Sequence, residues 1–184
     1  MSTGYSENSS LRRVQVIADY QFGGLSGTGL FPEGCEFLYS TTGRIRQILY
    51  NGTRLATVRA SDGRLTLGIE GAKRLHAILP APAYRVVIQD DVATFIAQGK
   101  NAFAKHVTGA DPGIRAGDDV MVVAGEDRLL ACGAAMVSGS EMLAFKYGVA
   151  VKVRQGSEKD ASGKYQPTPD EGDDEEARHE CRAD

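Results

Sequence analysis

No run of about eighteen apolar residues occurs anywhere in the 184 residues, so no membrane-spanning helix is expected. The opening stretch, MSTGYSENSSLRR, is polar where a secretory signal needs an apolar core, and the expected location is the cytoplasm. Cysteine is scarce. Cys35, Cys132 and Cys181 are odd in number and far apart, without the close pair of a zinc ribbon or a redox motif, and buried free thiols are expected. A GxSxG elbow is missing, as is any His, Cys and Asp set at metal-ligand spacing. The glycine-rich FGGLSGTG follows a helical pattern and lacks the GxGxxG and GxxxxGKS spacings that cradle phosphates. Neither catalysis, nor a metal, nor a cofactor is therefore expected.

Charge is present but unevenly placed, and the formal net charge of −3 conceals this. Residues 1–156 hold 17 Lys and Arg against 14 Asp and Glu, a balance of +3, whereas residues 157–184 hold 4 against 10, a balance of −6. A mildly basic body with an acidic tail is compatible with a polyanionic partner, because the charge on the folded part is what such a partner meets.

Residues 1–10 read as loose, with Ser9 or Ser10 capping a helix in which Leu11, Val14, Ile17, Ala18 and Phe22 recur at helical spacing up to Gly23. After a flexible GGLSGTG come three strand-like runs, CEFLY, IRQILY and RLATVR, with Asn51-Gly52 between the last two. Asn-Gly is the strongest local hairpin signal, since both central residues of a type I′ turn need positive φ. Asp62-Gly63 repeats it before Leu65. A second helix, about Ile69 to Leu79, carries Ala72, Leu75 and Leu79 on one face and stops before Pro80 and Pro82. Tyr20, Phe22, Tyr39 and Tyr50 are expected mostly in the core.

Beyond Pro82, Arg85–Ile88 reads as a strand, and Asp90 as the cap of a helix burying Val92, Phe95 and Ile96 and ending at Gly99. Val120–Val123 and Leu129–Cys132 read as strands. Ser138 to Glu141 matches a capping box for a short helix with Met142, Leu143 and Phe145. Val149, Val151 and Val153 alternate with Ala150, Lys152 and Arg154 as in a half-exposed closing strand. The fold class is α+β: a small α/β-sandwich-like domain over 11–80, then a mixed β pseudo-barrel with short helices over 83–155. Residues 1–10 are expected to be flexible and 156–184 to form an acidic disordered tail.

Five cations of the second domain, Lys100, Lys105, Arg115, Lys152 and Arg154, are candidates for phosphate neutralisation, which needs them on one face; scattered solubilising charge is the alternative. Gly99 would let a backbone approach a ribose or phosphate. His106 could stack or contact phosphate, or be an ordinary surface residue. Phe103 could stack on a base, yet between Ala102 and Ala104 it reads as core. Asp111, Asp118 and Asp119 read as architecture, accepting backbone hydrogen bonds around a Pro112-Gly113 turn. Arg44 and Arg46, two apart on a strand and so pointing the same way, are a possible second basic platform, in a region that also holds Arg54, Arg59 and Arg64.

Gly99-Lys100, FAK at Phe103–Lys105, DPGIRAGD at Asp111–Asp118 and GVAVKVR at Gly148–Arg154 together resemble a PUA domain, a small RNA-binding pseudo-barrel. The resemblance implies an RNA face built from Gly99, Lys100, Phe103, Ala104, Lys105, His106, Arg115, Lys152 and Arg154. ADYQFG at Ala18–Gly23, LFP at Leu30–Pro32, TGRIRQ at Thr42–Gln47, LATVRASDGRLTL at Leu55–Leu67 and GAKRLH at Gly71–His76 resemble the domain preceding PUA in archaeal tRNA-guanine transglycosylases and archaeosine synthase-like proteins. In that family these domains grip tRNA, the PUA part at the acceptor stem, while a separate barrel exchanges the base. This chain is too short to hold that barrel, so the resemblance implies binding of tRNA or another structured RNA without catalysis. A non-catalytic subunit of a tRNA-modification enzyme and a protein-binding adaptor are the alternatives.

Overall fold

The computed structural model describes residues 7–158; of the acidic tail expected over 156–184, residues 159–184 lie outside the described residues, whereas Gly156 is buried at the end of a strand and the Ser157 and Glu158 amides donate to the Leu130 and Ala97 carbonyls. Helix α1, Glu7–Phe22, starts before the serines expected to cap it. Ser10 is instead buried and shares a 2.9 Å hydrogen bond with the Tyr39 hydroxyl, so it tethers the helix to a strand. Val14, Ala18 and Phe22 recur every four residues on one buried face. Gly23 ends the helix with φ of 100°, its amide donating to the Asp19 carbonyl.

The segment expected to be flexible is a packed turn of helix, α2, Ser26–Leu30. Its glycines serve close approach: a Cβ on Gly27 would stand 2.3 Å from the Gln15 carbonyl oxygen, and the Gly27 amide donates to Asp19 Oδ1 at 2.8 Å. Leu30 and Phe31 are thereby fully buried, each contributing about 1.5–3 kcal/mol.

Strands β1 Glu36–Tyr39, β2 Ile45–Tyr50, β3 Thr53–Val58 and β4 Leu65–Leu67 form an antiparallel meander in that order. Asn51 and Gly52 both have positive φ, 50° and 73°, as the hairpin signal required. Ile48, Ala56 and Leu67 stand opposite one another and are buried. Helix α3, Ile69–Ile78, closes this core with Ile69, Ala72 and Leu75. Of the four aromatics expected mostly inside, Phe22 is buried and Tyr50 stacks beneath the Arg74 guanidinium at 4.7 Å, but Tyr20 and Tyr39 are exposed.

The second half holds β5 Arg85–Ile88, a 3-10 turn over Asp90–Val92, α4 Ala93–Ala97, β6 Ala102–Phe103, a 3-10 turn over Ala104–His106, β7 Val107–Ala110, β8 Asp119–Ala124, β9 Arg128–Ala135, α5 Gly139–Ala144 and β10 Val149–Gly156. The strands run β6-β10-β9-β8-β5-β7 in a nearly closed pseudo-barrel, antiparallel except where β5 lies parallel to β8. The architecture is α+β. Ser138 caps α5 in a full capping box with Glu141, whose carboxyl pKa is lowered by hydrogen bonds from the Ser138 side chain and backbone. Two expectations fail for local reasons. Phe95 is exposed because single-turn α4 buries Ala93, Ile96 and Ala97 instead. On β10 the expected alternation fails at Ala150: the register shift at Val149/Val151 buries it beside Val151, while Val151 and Val153 still alternate with exposed Lys152 and Arg154.

All six residues of β8 are buried because both faces of the sheet are covered. Val120 and Val122 enter the barrel core, whereas Met121, with Cys132 of β9, enters the core of the first half. The two halves are further clasped at Arg85, itself buried, which donates to Asp127 at 2.8 Å and to the His76 and Leu79 carbonyls at 2.9 Å. Cys35 and Cys132 are buried and outside any disulfide among the described residues, Cys132 Sγ donating to the Leu67 carbonyl at 3.4 Å, and burial pushes the Cys35 pKa up to about 11.

Candidate nucleic-acid interface

The glycine loop begins where α4 must stop. Gly99 has φ of 89°, its amide donates to the Ile96 carbonyl at 2.8 Å, and the Lys100 amide donates to that of Phe95 at 3.0 Å. The chain is then laid along the edge of β10. Asn101 Oδ1 accepts the Val153 amide at 3.0 Å, Phe103 stands opposite Val149, and the Ala104 amide donates to the Gly148 carbonyl at 3.0 Å. Gly156 permits this docking, since a Cβ there would lie 2.1 Å from the Ala97 carbonyl oxygen.

These contacts bring exposed Lys100 and Lys105 to the strand that carries exposed Lys152. Among the described residues no carboxylate lies within ion-pair distance of the three lysines. Phe103, read as core between its alanines, is 45% exposed: Ala102 and Ala104 are buried, and the pleat turns the residue between them outward. Ala104 therefore offers only backbone. His106 is half-buried, with Nδ1 3.0 Å from Gln89 Oε1 and its carbonyl accepting the Gln89 amide, so it closes the loop.

Arg154 is placed differently from Lys152. The register shift beside it re-aims its side chain onto the buried carboxylate of Asp119, and the side chain is 27% exposed. The other Asp119 oxygen accepts the Leu67 amide at 2.6 Å, so Arg154 belongs to the seam between the halves. Burial, then the charges of Arg59 and Arg54, lower its pKa to about 10. Arg115 is exposed in a turn where its amide donates to Asp118 Oδ2 at 2.9 Å. It lies near Tyr84, whose pKa is raised by burial and by Asp118 and Asp111 and held down by Arg64 and Arg115. Asp111 accepts the Gly113 and Tyr84 amides, each at 2.8 Å, an architectural role. Arg44 and Arg46 flank buried Ile45 on the first sheet and are exposed.

Two groups went unread in the sequence. The ion pairs Arg64–Asp118, Arg85–Asp127 and Arg154–Asp119 join residues 54, 42 and 35 positions apart, beyond any local signal. Tyr147 and Phe145 are exposed beside the loop, where aromatic and basic residues interleave as Phe145, Lys146, Tyr147; that interleaving was the available cue.

A six-stranded, nearly closed pseudo-barrel with a glycine loop docked on its last strand defines a PUA-type protein. Residues 84–156 match the PUA domain model, and residues 12–82 match the patch-forming domain C2 of tRNA-guanine transglycosylase. The domain pair is homologous to the C-terminal region of archaeal tRNA-guanine(15) transglycosylases. It is 52% identical over 151 residues to the tRNA-guanine(15) transglycosylase of Pyrococcus abyssi, covering 82% of this chain and 26% of that enzyme. Against the Methanothermobacter thermautotrophicus enzyme it is 44% identical over 147 residues, covering 79% and 22%. The chain thus spans about a quarter of the length of these curated relatives, within their non-catalytic domains. In fold it resembles a hypothetical protein of Pyrococcus horikoshii, at a TM-score of 0.66 and 22% identity over 84% of this chain and 94% of that one. A PUA domain of Aeropyrum pernix gives 0.60 and 19%, covering 85% of each. No described helix is long and apolar enough to cross a membrane.

Proposed function

We propose that this protein binds the acceptor-stem region of tRNA, or a similarly structured RNA, through the PUA half, and performs no catalysis of its own. The observation that carries the reading is the docking of the Gly99–His106 loop on β10, which leaves exposed Lys100, Lys105 and Lys152 along one edge without carboxylate partners among the described residues. Uncompensated cations on one edge are what phosphate neutralisation requires, and positive charge without side-chain readout of bases suits duplex RNA, whose deep groove admits no side chains. Gly99 and Ala104 leave the backbone approachable between them. Arg154, engaged by Asp119 at the seam, is left out of the phosphate contacts in this reading, and exposed Arg115 adds to the positive field from its turn.

The kinship with transglycosylase domains also supports a second reading, a tRNA-binding subunit whose residues 11–80 dock on a catalytic chain, with Arg44 and Arg46 as additional RNA contacts. Filter binding of a tRNA at several salt concentrations tests the first reading. The lysine triple variant K100A/K105A/K152A is expected to lose affinity and flatten the salt dependence, and unchanged binding would refute the face. Co-purification of a stable catalytic chain would favour the second.

A further inference from the structure

The chain leaves the pseudo-barrel close to the lysines that lack carboxylate partners. The Ser157 amide donates to the Leu130 carbonyl at 2.8 Å, and the Glu158 amide donates at 3.0 Å to the carbonyl of Ala97, which lies two residues before Gly99. Gly156 sits hard against the same turn, since a Cβ there would fall 2.7 Å from the Gly99 amide nitrogen. The chain therefore passes beside the start of the Lys100 and Lys105 loop, having just left the strand that carries Lys152. Residues 159–184 follow, with 9 Asp and Glu against 4 Lys and Arg. Six of those nine carboxylates fall within Asp170–Glu176, a run interrupted by Gly172 and by no cation. The far end of the lysine edge, where Phe103 stands opposite Val149, is about 30 Å back along β10 from Glu158. Residues 159–169, ahead of the run, can span about 35–40 Å. Every part of the edge is within reach.

Resting for its consequence on the reading that this edge binds RNA, we propose that Asp170–Glu176 docks on Lys100, Lys105 and Lys152 of its own chain and competes there with RNA. Charge complementarity selects this face. Along the seam Arg64, Arg85 and Arg154 already meet carboxylates, and Arg59 meets Asp62 at 3.0 Å, so further carboxylates gain least there. The three lysines are exposed and meet none among the described residues. Tethering raises the local concentration of the run to about a millimolar. Polyanions hold basic faces with a Kd on the order of 0.1 mM, so the docked state is populated although each exposed pair is weak and screened by salt. RNA phosphates must displace the run before they reach the ammonium groups. Every RNA that uses the edge is then bound more weakly by one common factor, about tenfold from those two values.

The test uses the full chain without RNA first. A zero-length carbodiimide joins carboxylates only to amines already beside them, and peptide mass spectrometry is expected to find Asp170–Glu176 joined to Lys100, Lys105 or Lys152 within one chain. Those links should disappear in 0.5 M salt. Links confined to Lys73 or Lys146, links that join two chains, or none at all would overturn the docking. The second measurement compares wild type with a full-length variant carrying Asp170→Asn, Glu171→Gln, Asp173→Asn, Asp174→Asn, Glu175→Gln and Glu176→Gln. The variant should bind an RNA hairpin about tenfold more tightly at low salt, with the gain shrinking as salt rises. Equal affinity of the two chains overturns the competition. If neither chain binds RNA, the RNA reading falls by itself, and the crosslinks still decide whether the acidic run occupies the lysines.

Discussion

Lys152 and Arg154 sit two residues apart on one strand and meet opposite environments. Arg154 turns onto a buried aspartate at the seam between the domains, and Lys152 stays in solvent beside a loop that brings further lysines to it. The same contrast separates the two regions as wholes. Along the seam Arg64, Arg85 and Arg154 each meet a carboxylate, of Asp118, Asp127 and Asp119 respectively, the first of these pairs joining the two halves, whereas Lys100, Lys105 and Lys152 meet none among the described residues. Arginine's planar fork suits fixed internal pairing, and lysine's mobile ammonium suits a partner that arrives from solution. Position thus divides these six cations between the seam and the exposed edge proposed to bind RNA.

The division can be broken by substitution. The largest effect is expected at Arg85: alanine there leaves the Asp127 carboxylate and the His76 and Leu79 carbonyls without their donor, costing about 3 kcal/mol in chemical denaturation. Arg154→Ala should follow at about 1–2 kcal/mol, since Asp119 keeps its Leu67 amide. Its RNA salt slope is expected to stay that of wild type; a slope change as large as that of Lys152→Ala would dissolve the distinction. Lys152→Ala should do the reverse, leaving the denaturation midpoint in place while the slope of log affinity against log salt falls by about 0.7–0.9. The smallest effect is expected at Glu141, which caps α5 beside the aromatic edge. Its pKa is depressed in the fold, so its contribution is present at neutral pH and lost as pH falls through the lowered value. Glu141→Gln should shift Tm slightly at pH 7 and not at all at strongly acidic pH, as thermal melts at the two conditions would report.

Much of the fold was legible because its signals are local. Asn51-Gly52 announces its hairpin, Ser138 and Glu141 announce their capping box, and Ala72 and Leu75 announce the buried face of α3. The failures share a cause. Gly27 reads as flexible until the Gln15 backbone is placed against it, and Phe103 reads as core until the pleat of a two-residue strand is known. For the candidate site, Lys100 and Lys105 were visible as part of a glycine-loop pattern, while the withdrawal of Arg154 depends on a register shift that no spacing encodes.

By itself, the order of residues determined most of the helix and strand segments, the family pattern and the pool of cations, because periodicity, turn chemistry and charge act over a few positions. Only the tertiary structure decided which cations remain in solvent, which rings lie on the surface and where the two cores join. Those outcomes depend on groups 35 to 54 positions apart meeting at a seam, where burial makes an unpaired charge costly and so dictates the pairing.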